Sequence, residues 1–293
     1  QTAGSAPLTI TGGNLQGIRY KLPVASAQVK SCVLFAGLGA EGETIVEETR
    51  PTRDHSERLL RLMGGKLQVA SGNEQPAAGK ISLQPGELHG CTIEIPGDLS
   101  SAAFFIAAAL LLRQSELVIE GVGVNPTRVA FLEALQQMGA QIEISNLRNE
   151  STEPTADLFV GHQRLQATTI SGYRIPLLID EIPILAVLAT RAEGETLIRE
   201  AGELRFKESD RLAAVAQNLR AMGAALDELS DGLIIRGPTT LRGAEIDSFG
   251  DHRIAMAFAI AGLVADSPTT IRGAEYADIS FPGFFEVLRT VCA

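Results

Sequence analysis

The fold is decided by residues 97–112, which read GDLSSAAFFIAAALLL. A strand ends at Ile95-Pro96-Gly97-Asp98, and the segment from Ala102 to Leu112 that follows is apolar on nearly every side when written as a helix. A helix of this kind has no face suited to solvent and must be buried all round. The stretch therefore predicts an enclosed helix and a domain boundary between residues 96 and 97.

The same kind of helix recurs along the chain together with a short closing motif. The motif is Met63-Gly64, Met138-Gly139 and Met222-Gly223, so that its methionines are 75 and 84 residues apart. Glycine after the last helical turn is a common left-handed cap. The spacing is too long for a solenoid and fits whole α/β subdomains.

The predicted architecture is an α/β fold built from repeated βαβαββ units in two domains. Copies of the unit begin near Ser26, Leu99, Ile179 and Asp251, and the fourth copy ends with a predicted helix at Phe281–Val291, where the chain end cuts it short. One copy falls in residues 1–96, the predicted first domain, and three fall in residues 97–293, the predicted second domain.

Composition limits the classes of partner. The chain has 293 residues, of which 45% are hydrophobic, and it contains no charge-free apolar run of the about 20 residues that a bilayer span needs. Lys and Arg number 25 against 35 for Asp and Glu, so the net charge is −10. Nucleic-acid binding requires a basic surface. We expect neither a membrane nor a nucleic-acid partner, and any anionic ligand must be held by a few cations gathered in one cleft.

The three cysteines, Cys32, Cys91 and Cys292, match neither a zinc spacing nor a disulfide framework. Each lies in an apolar or strand-like stretch, so they are expected to be inert core thiols in a reducing, cytoplasmic compartment. The first residues lack the basic and apolar segments of a signal peptide.

Polar clusters precede the apolar helices at Ser26-Ala27-Gln28, Asp180-Glu181-Ile182-Pro183 and Asp251-His252-Arg253. Helix N-termini carry unpaired N–H groups that favour anions. Ordinary N-capping explains the first two clusters equally well. In the third, Arg253 enters a buried helix at its positive end, where it needs an anion nearby.

The densest cluster is Lys207-Glu208-Ser209-Asp210-Arg211. If it is helical, Lys207 and Arg211 share a face, and Glu208 can bridge to Arg211. A solvated run of salt bridges is the alternative interpretation, and Arg53-Asp54-His55 has a similar alternative as a charged first helical turn. Because these clusters occupy equivalent places in successive repeats, a compact fold would bring several of them to one rim. They would form a site for a polyanion with an acid and a base beside it.

Five runs taken together resemble a known family. They are Ser26-Ala27-Gln28-Val29-Lys30-Ser31, Thr52-Arg53-Asp54-His55, Gly97-Asp98-Leu99-Ser100-Ser101-Ala102, Lys207-Glu208-Ser209-Asp210-Arg211-Leu212 and Asp251-His252-Arg253-Ile254-Ala255-Met256. In this order they resemble the 5-enolpyruvylshikimate-3-phosphate synthase family, and the Ser-Ala-Gln run is similar to its class II members.

The resemblance implies an enolpyruvyl transferase-like inverted α/β fold with buried parallel helices. It also implies transfer of the enolpyruvyl group of phosphoenolpyruvate to the 5-hydroxyl of shikimate 3-phosphate, a 3-phosphoshikimate 1-carboxyvinyltransferase activity of the shikimate pathway. No metal or organic cofactor is implied, since fixed cations stabilise the leaving phosphate.

The resemblance further implies a role for each matching residue. Asp180 and Glu208 are the catalytic pair, with Asp180 accepting the hydroxyl proton and Glu208 protonating the methylene carbon. The residues implied for shikimate 3-phosphate are Ser26, Ala27, Gln28, Arg53, Asp180 and Lys207. Those implied for phosphoenolpyruvate are Gln28, Arg211 and Arg253.

The sequence differs from the family pattern in two respects. Members have a further N-terminal part that holds ligand-binding cations, so we expect activity to require that part, as a segment or as a separate polypeptide. Ile279 stands where many members have a lysine before Thr-Phe-Pro. An inactive or partner-dependent fragment and a UDP-N-acetylglucosamine enolpyruvyl transferase are the alternative functions.

Overall fold

The computed structural model describes residues 7–71, 79–149 and 152–292, and divides the chain into two compact units. Unit 1 is Gln1–Thr92 and unit 2 is Ile93–Ala293. The predicted boundary after residue 96 lies four residues beyond this division. The assignment of the two parts as domains of one and three repeats stays a prediction.

Unit 1 has the strand and helix order that the repeat predicts. Its elements are β1 (Arg19–Lys21), α1 (Ala27–Leu38), β2 (Thr44–Glu47), α2 (His55–Leu62), β3 (Leu67–Ser71) and β4 (Gly79–Leu83). The four strands form one sheet of order β1-β2-β4-β3, in which β1 and β2 are parallel and the other two pairs are antiparallel.

Unit 2 repeats this arrangement. Its elements are α3 (Leu99–Leu111), β5 (Glu116–Gly123), α4 (Ala130–Gln137), β6 (Glu143–Arg148), β7 (Thr155–Gly161), β8 (Thr169–Ile170), α5 (Ile175–Leu178), α6 (Ile182–Ala189), β9 (Gly194–Ile198), α7 (Arg211–Ala221), β10 (Ala225–Leu229), β11 (Gly232–Gly237), β12 (Glu245–Asp247), α8 (His252–Leu263), β13 (Thr270–Arg272) and α9 (Phe284–Val291).

The sheets of unit 2 show how closely the repeats correspond. The sheet formed by β8 to β11 has the order β8-β9-β11-β10, which is the order found in unit 1. The sheet β5-β7-β6 follows the same pattern, with a parallel bridge from Gly97 to Val122 in place of its first strand. In the last copy, the strands of the described residues form the parallel pair β12-β13. The α/β fold of βαβαββ units is confirmed.

The apolar helices of unit 2 are buried as predicted. Twelve of the thirteen residues of α3 are buried, as are all eight residues of α6 and nine of the twelve in α8. These three helices pack on one another and form the centre of the core. The first helix of unit 1 differs, because α1 buries only Lys30, Leu34 and Gly37 and leaves Phe35 48% exposed.

The closing motifs behave as the sequence predicts. Gly64, Gly139 and Gly223 have φ angles of +85°, +86° and +84°. This left-handed conformation strains residues that carry a Cβ, and it lets the chain leave the helix and enter the next strand.

Three expectations need correction. Cys32, Cys91 and Cys292 are exposed and are not core thiols. The segment Lys207–Asp210 is not helical, since α7 begins at Arg211 after a short 3-10 helix at Gly202–Phe206. The last helix was expected from Phe281 and begins at Phe284, because Gly283 takes a left-handed conformation at its N-cap. Within the described ranges, no helix is long and apolar enough to cross a bilayer.

Candidate active site

The predicted phosphate-binding residues of unit 1 lie at the start of α1. Ser26 caps the helix, and its Oγ accepts a hydrogen bond of 3.4 Å from the backbone N–H of Val29. Ser26 and Ala27 are half-buried and Gln28 is exposed. The Ser26 hydroxyl can still donate its proton, so this helix end offers several donors to an anion.

Arg53, the other predicted phosphate ligand of unit 1, is half-buried just before α2. A buried ion-pair cluster connects its loop to α1. Lys30 of α1 is fully buried, and its Nζ lies 2.6 Å from Glu57 of α2 and 3.1 Å from Glu48. Glu48 also accepts a hydrogen bond from Thr52, the neighbour of Arg53. The two segments that carry the predicted phosphate ligands therefore share one buried anchor.

Replacing Lys30 is expected to lower the free energy of unfolding more than replacing any exposed lysine of unit 1. Lys30→Met would leave Glu48 and Glu57 without their cation, and we expect the free energy of unfolding to fall by about 2–3 kcal/mol at pH 8. Burial raises the pKa of Glu57 even though Lys30 lowers it in part, so the carboxyl can take up a proton and soften the loss.

The effect of Lys30→Met should depend on pH. A raised pKa in the folded state means that the contribution of Glu57 to stability falls as pH rises from 4.5 through the folded value. Without Lys30, which lowers this pKa, the pKa of Glu57 rises further and the carboxyl is protonated more readily. The loss should therefore be smaller at pH 5 than at pH 8, as measured by urea unfolding. Lys66→Met, at an exposed lysine, is the control. Equal losses for the two variants would show that the buried cluster contributes nothing.

In unit 2 the N-terminal ends of α6, α7 and α8 meet around one guanidinium. The side chain of Arg211, the first residue of α7, is 1% exposed. Its Nε lies 2.7 Å from Asp251, its Nη1 3.2 Å from Asp180 and its Nη2 2.7 Å from Glu208. Three carboxylates from three segments of the chain thus converge on one arginine.

Asp251 is the most deeply buried partner of Arg211, with no exposed surface. It caps α8 through the backbone N–H of Arg253 and also accepts a hydrogen bond from Ser209. Burial alone raises the pKa of Asp251, but the hydrogen bonds and charge of Arg211, together with these two bonds, hold it below its ordinary value. Asp251 is therefore an anion at neutral pH behind Arg211.

The other two partners of Arg211 are accessible to solvent. The side chain of Glu208 is 50% exposed and that of Asp180 is 18% exposed. Asp180 lies in the 3-10 turn Ile179–Glu181 that leads into α6, and Glu208 lies in the irregular segment before α7. Two solvent-accessible carboxylates are thus fixed on one guanidinium, which is a geometry suited to acid and base catalysis.

Arg253 and Glu181 form the adjacent part of the site. Arg253, in the first turn of α8, has an Nη1 atom 3.9 Å from the Oε1 atom of the buried Glu181. His252 precedes it, and burial, followed by the charge of Arg253, lowers the pKa of this imidazole. His252 is therefore neutral at pH 7 and leaves the positive charge to the arginines.

Among the described residues, no group of three or more His, Cys, Asp or Glu side chains is arranged to hold a metal ion. The site of unit 2 is instead a set of alternating arginines and carboxylates.

Comparison with known proteins assigns the family. A sequence profile described as EPSP synthase (3-phosphoshikimate 1-carboxyvinyltransferase) matches residues 1–288. The chain belongs to the EPSP synthase family.

Individual relatives agree with this assignment. The 3-phosphoshikimate 1-carboxyvinyltransferases of Gloeothece citriformis and Desulforudis audaxviator are each 51% identical to this EPSP synthase family member over 98% and 99% of its chain. A solved structure of EPSP synthase from Acinetobacter baumannii is 45% identical, with a TM-score of 0.85 over 98% of this chain and 65% of its own. The enolpyruvyl transferase NikO from Streptomyces tendae, 21% identical with a TM-score of 0.74, shares the fold. The chain spans 63% and 66% of the length of the two curated relatives.

The structure brings together most of the predicted EPSP synthase residues of unit 2. Asp180 and Glu208 both contact Arg211, and Arg253 lies beside Glu181, the chain neighbour of Asp180. Lys207 is next to Glu208, but its Nζ pairs with Glu203 at 3.1 Å. The expected bridge from Glu208 to Arg211 is confirmed, although the segment that carries Glu208 is not helical.

One charged residue of this cluster in unit 2 is missing from the sequence predictions. Arg128 is buried and contacts Ser100 and Glu181, two residues of the polar motifs for which the sequence predicts no role. Its place in the repeat could have identified it. Arg128 precedes Met138 by 10 residues, as Arg53 precedes Met63, and Arg211 precedes Met222 by 11 residues.

Proposed function

We propose that this chain supplies the catalytic centre for transfer of the enolpyruvyl group of phosphoenolpyruvate to the 5-hydroxyl of shikimate 3-phosphate, with release of phosphate. The observation that carries the proposal is the contact of Asp180 and Glu208 with the buried guanidinium of Arg211. An acid, a base and a fixed cation within one cluster are what this addition and elimination needs.

In the proposed addition step, the oxygen of the 5-hydroxyl forms a bond to C2 of phosphoenolpyruvate, and Asp180 accepts the proton of this hydroxyl. Glu208 gives its proton to C3, so that the methylene becomes a methyl group and a tetrahedral intermediate forms. In the elimination step, the C2–O bond to phosphate breaks while C3 returns a proton to Glu208. The double bond of the enol ether forms, and phosphate leaves with the proton that Asp180 accepted from the hydroxyl, which restores both carboxyl groups.

The cations have separate proposed tasks in this reaction. Arg253 is 13% exposed, and its long contact with Glu181 leaves N–H groups for the carboxylate or phosphate of phosphoenolpyruvate. Arg211 is held by carboxylates, so its proposed contact with phosphoenolpyruvate requires exchange of the half-exposed Glu208 for a ligand oxygen. Ser26, Ala27, Gln28 and Arg53 of unit 1, together with Lys207, are proposed to bind shikimate 3-phosphate.

We further propose that turnover needs the part of the relatives' length that this chain does not match, supplied as a segment or a second polypeptide. A cytoplasmic location is also part of the proposal, supported by three exposed cysteines in the described ranges that form no disulfide.

Release of phosphate from phosphoenolpyruvate tests the proposal. We expect release that depends on shikimate 3-phosphate when the chain is mixed with the unmatched part of the Gloeothece citriformis relative. We expect none with UDP-N-acetylglucosamine in place of shikimate 3-phosphate. The chain alone should give no measurable release, since cations that stabilise the leaving phosphate are expected in the unmatched part. Release with UDP-N-acetylglucosamine, or an inactive mixture in which shikimate 3-phosphate does not raise the Tm of the chain, would contradict the proposal.

A further inference from the structure

A single buried carboxylate oxygen in unit 2 lies close to polar groups of three other side chains. Glu181 is 1% exposed, and its Oε1 atom lies 3.1 Å from Nη2 of Arg128 and 3.9 Å from Nη1 of Arg253. The same oxygen accepts a hydrogen bond from the hydroxyl of Ser100. The second oxygen, Oε2, is buried and has no hydrogen-bond partner within the described part of the chain. Leaving a buried carboxylate oxygen unpaired is unfavourable, so this geometry calls for a reason other than stability.

Arg128 fixes the far side of Glu181. The side chain of Arg128 is 8% exposed, and its Nη1 donates to the backbone carbonyl of Leu177 in α5 at 3.4 Å. Its Nη2 donates to Ser100 in α3 and to Glu181 just before α6. One planar guanidinium therefore ties three segments together and leaves the Glu181 carboxylate little freedom to move.

The contact with Arg253 differs in kind from the contact with Arg128. At 3.9 Å it is too long for a hydrogen bond but short enough for strong attraction between charges. Glu181 can therefore hold the Arg253 guanidinium in place without using its N–H groups. Those groups stay available for an anionic ligand.

The position of Glu181 in the chain supports its role in holding Arg253. Its neighbour Asp180 contacts Arg211, and Glu181 contacts Arg253. One two-residue segment before α6 thus provides one carboxylate to each of the two arginines assigned to phosphoenolpyruvate.

We propose that Glu181, anchored by Arg128 and Ser100, is a positioning residue that sets where the Arg253 guanidinium meets phosphoenolpyruvate. The inference rests on the proposed function for its ligand, whereas the geometric part, control of Arg253 by Glu181, stands without it.

The test uses variants that keep the charges and change the geometry. Glu181→Asp keeps the carboxylate but withdraws it by one methylene, and Arg128→Lys keeps the cation but loses the fork that reaches Ser100 and Glu181 together. Because both retain the buried charge pair, both should fold, and circular dichroism checks this. The controls, Asp231→Asn and Arg199→Lys, alter an exposed ion pair of unit 2 outside the site.

The first readout is the rate at which phenylglyoxal modifies Arg253, followed by peptide mass spectrometry on the chain without substrates. We expect faster modification in Glu181→Asp and in Arg128→Lys, because the guanidinium is no longer held, and wild-type rates in the controls. Wild-type rates in the two folded site variants would overturn the positioning role.

The second readout is steady-state kinetics in the mixture that releases phosphate. We expect KM for phosphoenolpyruvate to rise about 10- to 100-fold in the two site variants, since small displacements of a binding group have effects of this order, with KM for shikimate 3-phosphate unchanged. Faster modification with an unchanged KM for phosphoenolpyruvate would overturn the link to that ligand. If the wild type shows no turnover and Arg253 still reacts faster in the variants, the proposed function fails and the control of Arg253 by Glu181 stands.

Discussion

Replacing Arg211 with leucine is expected to lower the free energy of unfolding of unit 2 by about 3–5 kcal/mol at pH 7. The substitution removes the only cation that the structure shows within 4.0 Å of Asp251 among the described residues. Asp251 has no exposed surface, so its charge would be left in the protein interior without compensation. Urea unfolding followed by circular dichroism measures the loss.

The pH dependence of the Arg211→Leu effect identifies its cause. In the wild type, the lowered pKa of Asp251 contributes stability above its unfolded value of 3.8, and this is lost as pH falls through the folded pKa. In the variant, the buried Asp251 takes up a proton, so the difference between the two proteins should shrink toward acid pH. Arg199→Leu, which breaks an exposed pair with Asp231, should cost no more than about 1 kcal/mol. A loss of that small size for Arg211→Leu would contradict the interpretation.

Replacing Glu208 with glutamine is expected to lower kcat by about 10²- to 10⁴-fold, with little change in KM for either substrate. The amide keeps the shape of the side chain and a contact with Arg211, but it cannot deliver a proton to C3 of phosphoenolpyruvate. The prediction rests on the proposed function. The measurement is phosphate release at saturating concentrations of both substrates.

Isotope exchange separates loss of proton transfer from a general loss of activity. In D2O the wild type should place deuterium in the methylene group of the product, and Glu208→Gln should lose this exchange together with kcat. Glu195→Gln is the matched control, because Glu195 is also paired with an arginine, Arg236, at 3.0 Å and lies outside the site. If Glu208→Gln retains both kcat and exchange, another group protonates C3.

The repeat made the fold predictable to a large extent. Methionine-glycine motifs marked the helix ends, because glycine adopts without strain the left-handed conformation found at Gly64, Gly139 and Gly223. The segment before α7 was harder to predict. Charges four residues apart at Lys207 and Arg211 are typical of a helix face, but Asp210 caps α7 by accepting a hydrogen bond from the N–H of Ala213. A capped helix that starts at Arg211 excludes Lys207 from its face.

The sequence predicts most of the residues that belong to the site, but it does not predict which of these residues contact each other. Arg211 and Asp251 are 40 residues apart in sequence, and only the packing of α7 against α8 brings them within 2.7 Å. The repeat position of Arg128 could be found by counting residues, whereas its contact with Glu181, 53 residues further along the chain, depends on tertiary packing. The cysteines were misjudged because a hydrophobic neighbourhood in sequence does not show which side of an element faces the core.

The cluster of unit 2 also has a net charge, which bears on how it would meet the substrates of the proposed function. The arginines and the lysine of the site number four, at Arg128, Lys207, Arg211 and Arg253, whereas the carboxylates around them number six, at Asp98, Asp180, Glu181, Glu203, Glu208 and Asp251. The described cluster is therefore negative before any ligand arrives, and phosphate esters with several negative charges are repelled from it. Under the proposed function, tight binding of phosphoenolpyruvate needs further cations beside this cluster. Substrate affinity would then depend on those cations, and the cluster by itself would not trap phosphoenolpyruvate that it cannot convert.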